Sequence, residues 1–396
     1  MGWKYLKTTL GTKMKYTGLV PEVQPDDMEL ELGLPYWKFG EIRDGRKVID
    51  PILQYGCYVL GYHNQEIIDY VYDTMKNNKP EIGEHFMPKT DTLRLNHISF
   101  QLAERVRKIS GMNSFYALSG SDANEGAVKL ACAYQFQKGN YHKKTIVGFL
   151  ESYHGSTNFT SSIGHDNFMD APFYTLDPNP SVKRIPRDAS KFDEVDWDSV
   201  AAVVIETCAY GNVMIPPSAE FWASLDNIRT KHDVVIIIDD IFMGGGKSGT
   251  YIGWENMNIR PDISTMGKAI TGGFFPLSMV LFNDKIRDAL PKNFNWEHGF
   301  TYCFSLPGVA AAVKYLDILE RDNLLDNHDS IVERATTIFE AAGFEVFYRF
   351  GLHFRVRRQR DYGLEKYFYI VPVAADDEYF EALEENLQWF TQNTTH

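Results

Sequence analysis

The stretch DVVIIIDDIFMGGGKSG, residues 233–249, decides how this chain folds. Val234 to Ile238 run without a polar break into Asp239 and Asp240, and a glycine cluster follows. An unbroken β-branched run of this length reads as a strand covered on both faces, as in a parallel sheet flanked by helices. Its closing carboxylate then lies at the C-terminal end of the strand, the edge where open α/β sheets bind ligands. By itself, Asp239 reads first as a helix cap or as half of a buried ion pair.

The same grammar repeats outward from this run. Between residues 95 and 285, helix-like segments alternate with short runs rich in Val and Ile, the pattern of βαβ units. Strands are expected at 114–119, 145–152, 200–207, 233–240 and 277–283. Residues 122–137 read as a helix capped by Asp122, with Glu125 three residues on and Ala127, Leu130, Ala131 and Tyr134 on one face. From about residue 308, a helix, a strand-like stretch (344–357) and a final helix (377–390) make a smaller unit. The expected fold is α/β. A large domain (56–307) holds a mostly parallel sheet covered by helices on both faces. A smaller α+β domain combines residues 308–396 with an N-terminal segment, 1–55.

Composition bounds the partners. A chain of 396 residues with 44% hydrophobic content is globular and long enough for a large core. A net charge of −13 gives no positive field to draw nucleic acid. The four cysteines, Cys57, Cys132, Cys208 and Cys303, show neither metal-ligand spacing nor a disulfide framework, so a reducing cytoplasm and no metal are expected. No apolar run is long enough to span a membrane, and the first residues read as no targeting signal.

Three further stretches give Asp239 partners. Lys268 in DISTMGKAITGG (262–273) is flanked by small residues and lies on no helix face. A solvated lysine needs no such setting. An amine that forms a Schiff base does, because close packing desolvates it and leaves room for a flat ring. Pyridoxal phosphate requires both residues: a lysine to carry it and an acid to keep its pyridine nitrogen protonated. In ALSGSDANEG (117–126) a strand, a Ser-Gly-Ser turn and a helix start offer backbone N–H groups and the hydroxyls of Ser119 and Ser121 to a phosphate. ESYHGST (151–157) brings Tyr153 to the same edge, to stack on one face of a ring while Ile241 presses on the other. Each piece alone reads as ordinary core or an ordinary capped helix.

Taken in order, the set resembles the class III aminotransferases, pyridoxal-phosphate enzymes of fold type I, over nearly the whole chain. The matching stretches are VIDPILQYGCYVLGYHNQEI (48–67), LSGSDANEGAVKLA (118–131), ESYHGST, IDDIFMGGGKSG (238–249), DISTMGKAITGGFFPLSMV (262–280) and EHGFTYCFSLPGVAAA (297–312). The resemblance implies that Lys268 carries the cofactor as a Schiff base and that Asp239 faces its pyridine nitrogen. It implies Gly120 and Ser121 as phosphate ligands, Tyr153 as the stacking ring, and His154 and Glu206 among the cofactor-binding residues, although His154 also reads as a packed, hydrogen-bonded histidine. Thr301 matches the threonine that reaches the phosphate of a neighbouring subunit, so a homodimer is implied.

The departures concern substrate. Phe242 stands where many members place a glutamine against the cofactor's phenolic oxygen. IETCAYGNVMIPP (205–217) keeps Glu206 but lacks a second glutamate, and Tyr369 in YFYIVPV (367–373) stands near the place of a substrate-binding arginine. The spacing of ETCAYGNVMIPP and LQYGC is closer to the glutamate-1-semialdehyde aminomutase branch, and by that likeness Gln54 and Tyr55 line the substrate pocket. Arg355 or Arg357 in FRVRRQR could anchor a carboxylate, though a basic strand reads more simply as a solvated face; His63 and His298 read as structural. The implied activity is transfer of an amino group from an amine or amino acid to a carbonyl acceptor. An aminomutase or a racemase or epimerase on the same lysine remains open, as does a non-catalytic scaffold, against which the retention of Lys268 and Asp239 speaks.

Overall fold

A computed structural model describes residues 12–15, 29–32, 35–78, 97–164, 181–208, 216–257, 259–292, 294, 296, 298–360 and 363–393. At its centre is a sheet of seven strands: β1 (Asn113–Ala117), β2 (Thr145–Phe149), β3 (Val182–Ile185), β4 (Val200–Glu206), β5 (Val235–Asp239), β6 (Ile263–Met266) and β7 (Ser278–Phe282). They lie side by side in the order β1-β7-β6-β5-β4-β2-β3. Strands β6, β5, β4, β2 and β3 pair in parallel, and β7 runs antiparallel to both β6 and β1.

The unbroken apolar run follows from burial on both faces. Val235 and Ile237 enter one core with Ala202, Val204 and Ile263, while Ile236 and Ile238 enter the other with Val203, Ile205 and Trp222. The helices that close the two faces include α1 (Gln65–Asn77), α2 (His97–Ser110), α3 (Gly120–Gln137), α4 (Ala219–His232) and α5 (Leu306–Arg321). Helix α3 crosses one face over β1, β7, β6, β5 and β4. Phe221, Trp222 and Leu225 of α4 join the core on the other face, as do Val309 and Leu316 of α5. No helix among the described residues is long and apolar enough to cross a membrane.

Two sequence readings are corrected here. Helix α3 starts at Gly120, and its cap is Ser119, whose Oγ accepts the Asp122 N–H at 3.2 Å. Asp122 therefore lies inside the first turn, where its Oδ2 accepts the Leu118 N–H at 2.7 Å. A serine at the N-cap satisfies the same orphan donor that an aspartate would, so the pattern alone did not choose between them. Strands β3 and β6 were also missed. In β6, ISTM, the polar groups are buried but paired: Ser264 Oγ accepts from Trp254 Nε1 at 3.1 Å, and Thr265 Oγ1 donates to Asn124 Oδ1 at 2.9 Å.

Beyond α5 the chain forms α6 (His328–Ala341), an antiparallel sheet of β8 (Glu345–Phe350), β9 (His353–Arg360) and β10 (Gly363–Ile370), and α7 (Asp377–Asn393). Strands at Tyr36–Trp37, Gly40–Arg43 and Arg46–Ile49 pack on this end of the chain. Asn386 of α7 donates to the Lys47 carbonyl at 2.6 Å and accepts the Ile49 N–H at 3.2 Å, and Lys38 pairs with Asp376 at 2.7 Å. Of the expected N-terminal segment, residues 1–11, 16–28 and 33–34 lie outside the described residues.

Ile237, fully buried in the central strand, is the position where truncation should be felt most directly. Ile237→Ala is expected to lower the unfolding free energy by about 2–5 kcal/mol in denaturant titration; a loss below about 1 kcal/mol would mean that the sheet does not carry the core as described.

Candidate active site

Three adjacent parallel strands end together. In the β4–β5–β6 register, Glu206 pairs with Asp239 and Asp239 with Thr265, so three polar side chains lie side by side at one edge of the sheet. Asp239 is only 5% exposed. A carboxylate this buried needs donors, and it has three. Asn124 Nδ2 donates to Oδ2 at 2.7 Å and His154 Nδ1 lies 2.9 Å from the same oxygen. The Ile241 N–H donates to Oδ1 at 3.1 Å, and Thr265 Oγ1, whose proton goes to Asn124 Oδ1, lies 3.4 Å from Oδ1. Asp240 serves the fold instead: it accepts from Thr207 Oγ1 and from the Gly253 N–H, both at 2.7 Å, and burial pushes its carboxyl up to about 7.

Asp239 lines a cleft of about 590 Å³ that also takes in Glu206, His154, Tyr153, Ile241 and Lys268. Lys268 follows β6 by two residues, at the head of a 3-10 turn with φ +51. That left-handed backbone is strained for a lysine and aims the side chain by fixing the turn. Its Nζ lies 4.5 Å over the Phe242 ring. Burial holds the amine below the ordinary lysine range, although Cys57, Asp239 and Glu206 all pull it upward. Glu206 in turn accepts the Tyr153 N–H at 3.2 Å, which ties the aromatic's loop to the strand ends.

The opposite end of the cleft is built by glycine. Gly120 and Ser121 open α3; Ser119 Oγ uses the Asp122 N–H, and no bond within the described residues takes the N–H groups of Gly120 and Ser121. These amides face an anion with the helix dipole behind them. A Cβ on Gly120 would lie 2.9 Å from Ile241 Cδ1, and one on Gly155, at φ +128, would lie 2.5 Å from Ser121 Oγ. Only glycine allows this approach. Ser121 Oγ also accepts the Ser156 N–H at 3.1 Å, closing the cradle.

Gly120, Ser121, Tyr153, His154, Glu206, Asp239, Ile241 and Lys268 are thus brought together as expected from the sequence. Ser119 is the helix cap behind them. Thr301 is exposed on a turn and lines no part of this cleft, while Gln54 faces a second cleft with Tyr36, Asp50 and Tyr62, and Tyr55 is 55% exposed. Arg357 pairs with Glu345 at 2.5 Å, Arg355 lies across the ladder from Tyr348, and Tyr369 packs 5.0 Å from Phe339 in the smaller unit; none of these lines the cleft. Asn124 and Gly155 were missed. Asn124, 1% exposed on the buried face of α3, had a signal: an amide on the apolar side of a helix needs a polar target. Of the stretch at 205–217, residues 209–215 lie outside the described residues.

An acid and a desolvated lysine at one end, an anion cradle at the other and an aromatic beside them define a site for a flat, phosphate-bearing cofactor. Residues 39–343 match the family Aminotransferase class-III, and the chain belongs to that family. Its cofactor is pyridoxal phosphate. The described residues fit that group: the unclaimed amides of the glycine cradle suit its phosphate, and His154 Nε2 is a buried nitrogen with no partner among the described residues. The chain is 28% identical over 315 residues to the diaminobutyrate–2-oxoglutarate transaminase of Halomonas elongata, covering 72% of this chain and 66% of that one. It is 25% identical over 307 residues to the putrescine–pyruvate aminotransferase of Pseudomonas aeruginosa, covering 72% and 66%. The chain therefore spans just under two thirds of the length of these curated relatives. A transaminase structure from the marine bacterium Virgibacillus superposes with a TM-score of 0.79 at 18% identity, over 94% of this chain and 97% of that one, and shows the same fold.

Burial would lower the His154 pKa, but the hydrogen bond and charge of Asp239, aided by Glu206, outweigh it and raise it above 6.5. The stability this contributes is full below pH 6.5 and fades as pH rises through the folded-state value. Wild type should therefore lose more unfolding free energy between pH 6 and pH 9 than His154→Gln does, measured by denaturant titration. Parallel pH profiles would show that His154 is not paired with Asp239.

Proposed function

We propose that this chain is a pyridoxal-phosphate-dependent aminotransferase that moves an amino group from an amine or amino acid to a carbonyl acceptor. The observation that carries the reading is the convergence of Asp239 and Lys268 on the cleft whose far end is the Gly120–Ser121 cradle. When bound, the cofactor supplies a protonated ring that draws electron density from the carbon bearing the amino group. The residues of the chain set its geometry and move protons. Gly120, Ser121 and the dipole of α3 would hold the phosphate. Tyr153 and Ile241 would flank the ring. Asp239, fixed by Asn124, His154, Thr265 and the Ile241 amide, would hold a proton on the ring nitrogen, and His154 between Asp239 and Glu206 would keep that charge compensated. Lys268 would carry the cofactor and, once displaced, take a proton from the substrate carbon and pass it to the cofactor carbon next to the ring. Burial favours this, because it keeps a larger share of the amine uncharged.

The names of the relatives support an amino donor with a keto-acid acceptor, since diaminobutyrate and putrescine are paired there with 2-oxoglutarate and pyruvate. The likeness to the glutamate-1-semialdehyde aminomutase branch rests on local spacing alone, and Gln54, which carried it, faces the second cleft. Assembly as a homodimer, with Thr301 reaching the partner's phosphate, is supported by the exposure of Phe300 (50%) and Tyr302 (56%) around it. It is supported also by the cleft itself, in which Lys268, at the end away from the cradle, is the one lysine or arginine among the described lining residues. Four free cysteines accord with a reducing cytoplasm.

Asp239→Ala should retain pyridoxal phosphate while amino-group transfer slows by a factor on the order of a thousand or more, since the proton on the ring is no longer held. Turnover with a panel of amines and keto acids measures it. Near-normal rates in the variant would remove Asp239 from the chemistry, and no transfer by the wild type with any donor and acceptor of the panel would overturn the aminotransferase reading.

A further inference from the structure

A second network lies beneath the anion cradle, and the proposed chemistry does not use it. Asp122, 4% exposed, sits in the first turn of α3 one residue beyond Ser121. A carboxylate there suits the helix end but opposes a phosphate bound to the same N–H groups. The surrounding groups engage it from several sides. The Leu118 N–H donates to Oδ2 at 2.7 Å, and the Cys303 thiol donates to Oδ2 at 3.7 Å. His298 Nε2 lies 2.9 Å from Oδ1 and 3.1 Å from the Asp122 carbonyl oxygen.

The proton on that ring can be placed. Lys129 Nζ is 3.2 Å from His298 Nδ1, and an ammonium has only protons to give. Nδ1 is therefore the acceptor, and Nε2 carries its proton toward Asp122. The ring has a prepared seat: a Cβ on Gly126 would lie 2.8 Å from His298 Cδ2, so glycine stands in mid-helix where it otherwise weakens the helix. His298 and Cys303 bracket the turn that carries Thr301, and the Phe300 N–H donates to Cys303 Sγ at 3.0 Å.

We propose that His298 is a positioning residue for phosphate binding: its Nε2 proton, hydrogen-bonded to the Asp122 carbonyl oxygen and held 2.9 Å from Oδ1, offsets the Asp122 carboxylate beneath the cradle and fastens the Thr301 turn to the first turn of α3. This rests on the reading that the cradle takes the phosphate of the cofactor. Without His298 the buried carboxylate, whose Oδ1 has no hydrogen bond among the described residues, loses the polarised N–H that lies 2.9 Å from it, beside the amides meant for an anion. The loss falls on the phosphate end, because Asp239 and Lys268 hold the ring through separate contacts.

Three probes separate these effects on the full chain: pyridoxal phosphate and pyridoxal, followed by near-visible absorption, and inorganic phosphate, followed by calorimetry. His298→Ala should weaken both phosphate-bearing probes by about tenfold and leave pyridoxal unchanged. Adding Asp122→Asn to His298→Ala should recover most of that loss, since it removes the uncompensated charge; a packing defect would not be recovered. If His298→Ala fails to fold, Lys129→Met, a surface change, should weaken the phosphate probes in the same direction. Equal losses for pyridoxal and pyridoxal phosphate, no loss at all, no recovery by Asp122→Asn, or a wild type that binds neither phosphate probe would each overturn the proposal. Phosphate binding that depends on His298, without any adduct on Lys268, would leave the positioning role standing and overturn the aminotransferase reading instead.

Discussion

The constraint on which the rest depends is the burial of one carboxylate at the end of the central strand. Moving a lone charge into an apolar sheet edge costs several kcal/mol or more unless it is hydrogen-bonded and compensated. Asp239 meets that demand with donors from three parts of the chain: α3 through Asn124, the loop after β2 through His154, and its own following amide at Ile241; Thr265 of β6 orients Asn124 by donating to its Oδ1. The seven-stranded order brings them together, because β5 lies between β4 and β6 while α3 crosses over it. Asp239 thus depends on the whole large sheet, and little of the sheet's polar edge makes sense without it. Asp240, one residue on, has its partners in Thr207 and Gly253 and stays inside the fold.

Charge is distributed along the cleft with purpose. The end near Asp239 and Glu206 is acidic, and the desolvated amine of Lys268 is drawn between burial and those carboxylates. Phe242 presents an apolar ring to that amine at 4.5 Å and packs 4.6 Å from His353, so no amide or hydroxyl at this position competes for the lysine. The cradle end works with backbone amides alone. The charged side chain that follows Ser121 in the first turn of α3 is Asp122, the wrong sign for an anion, which makes the placement of His298 and Lys129 part of the same design as the glycine approach at Gly120 and Gly155.

What the sequence made legible was what depends on local pattern. The apolar run into Asp239, the small residues around Lys268 and the Ser-Gly-Ser turn each announce themselves in a few consecutive residues, and the sheet places them as expected. What stayed hidden depends on tertiary pairing. Strand β6 carries Ser264 and Thr265, whose hydroxyls are acceptable only because Trp254 and Asn124 await them. Asp122 looked like a cap until Ser119 took that role and left the carboxylate to face His298. Gln54 and Tyr55 lie in a run of left-handed residues from Leu53 to Gly56 that turns them away from the cleft, a conformation that LQYG does not advertise.

The central claim is that Asp239 and Lys268 address one molecule across one cleft. Near-visible absorption of the purified chain with pyridoxal phosphate, beside Lys268→Ala, tests it most directly. A band present in wild type, absent in Lys268→Ala and bleached by an amine donor is the predicted result. A band that survives Lys268→Ala, or a wild type with none, would contradict it.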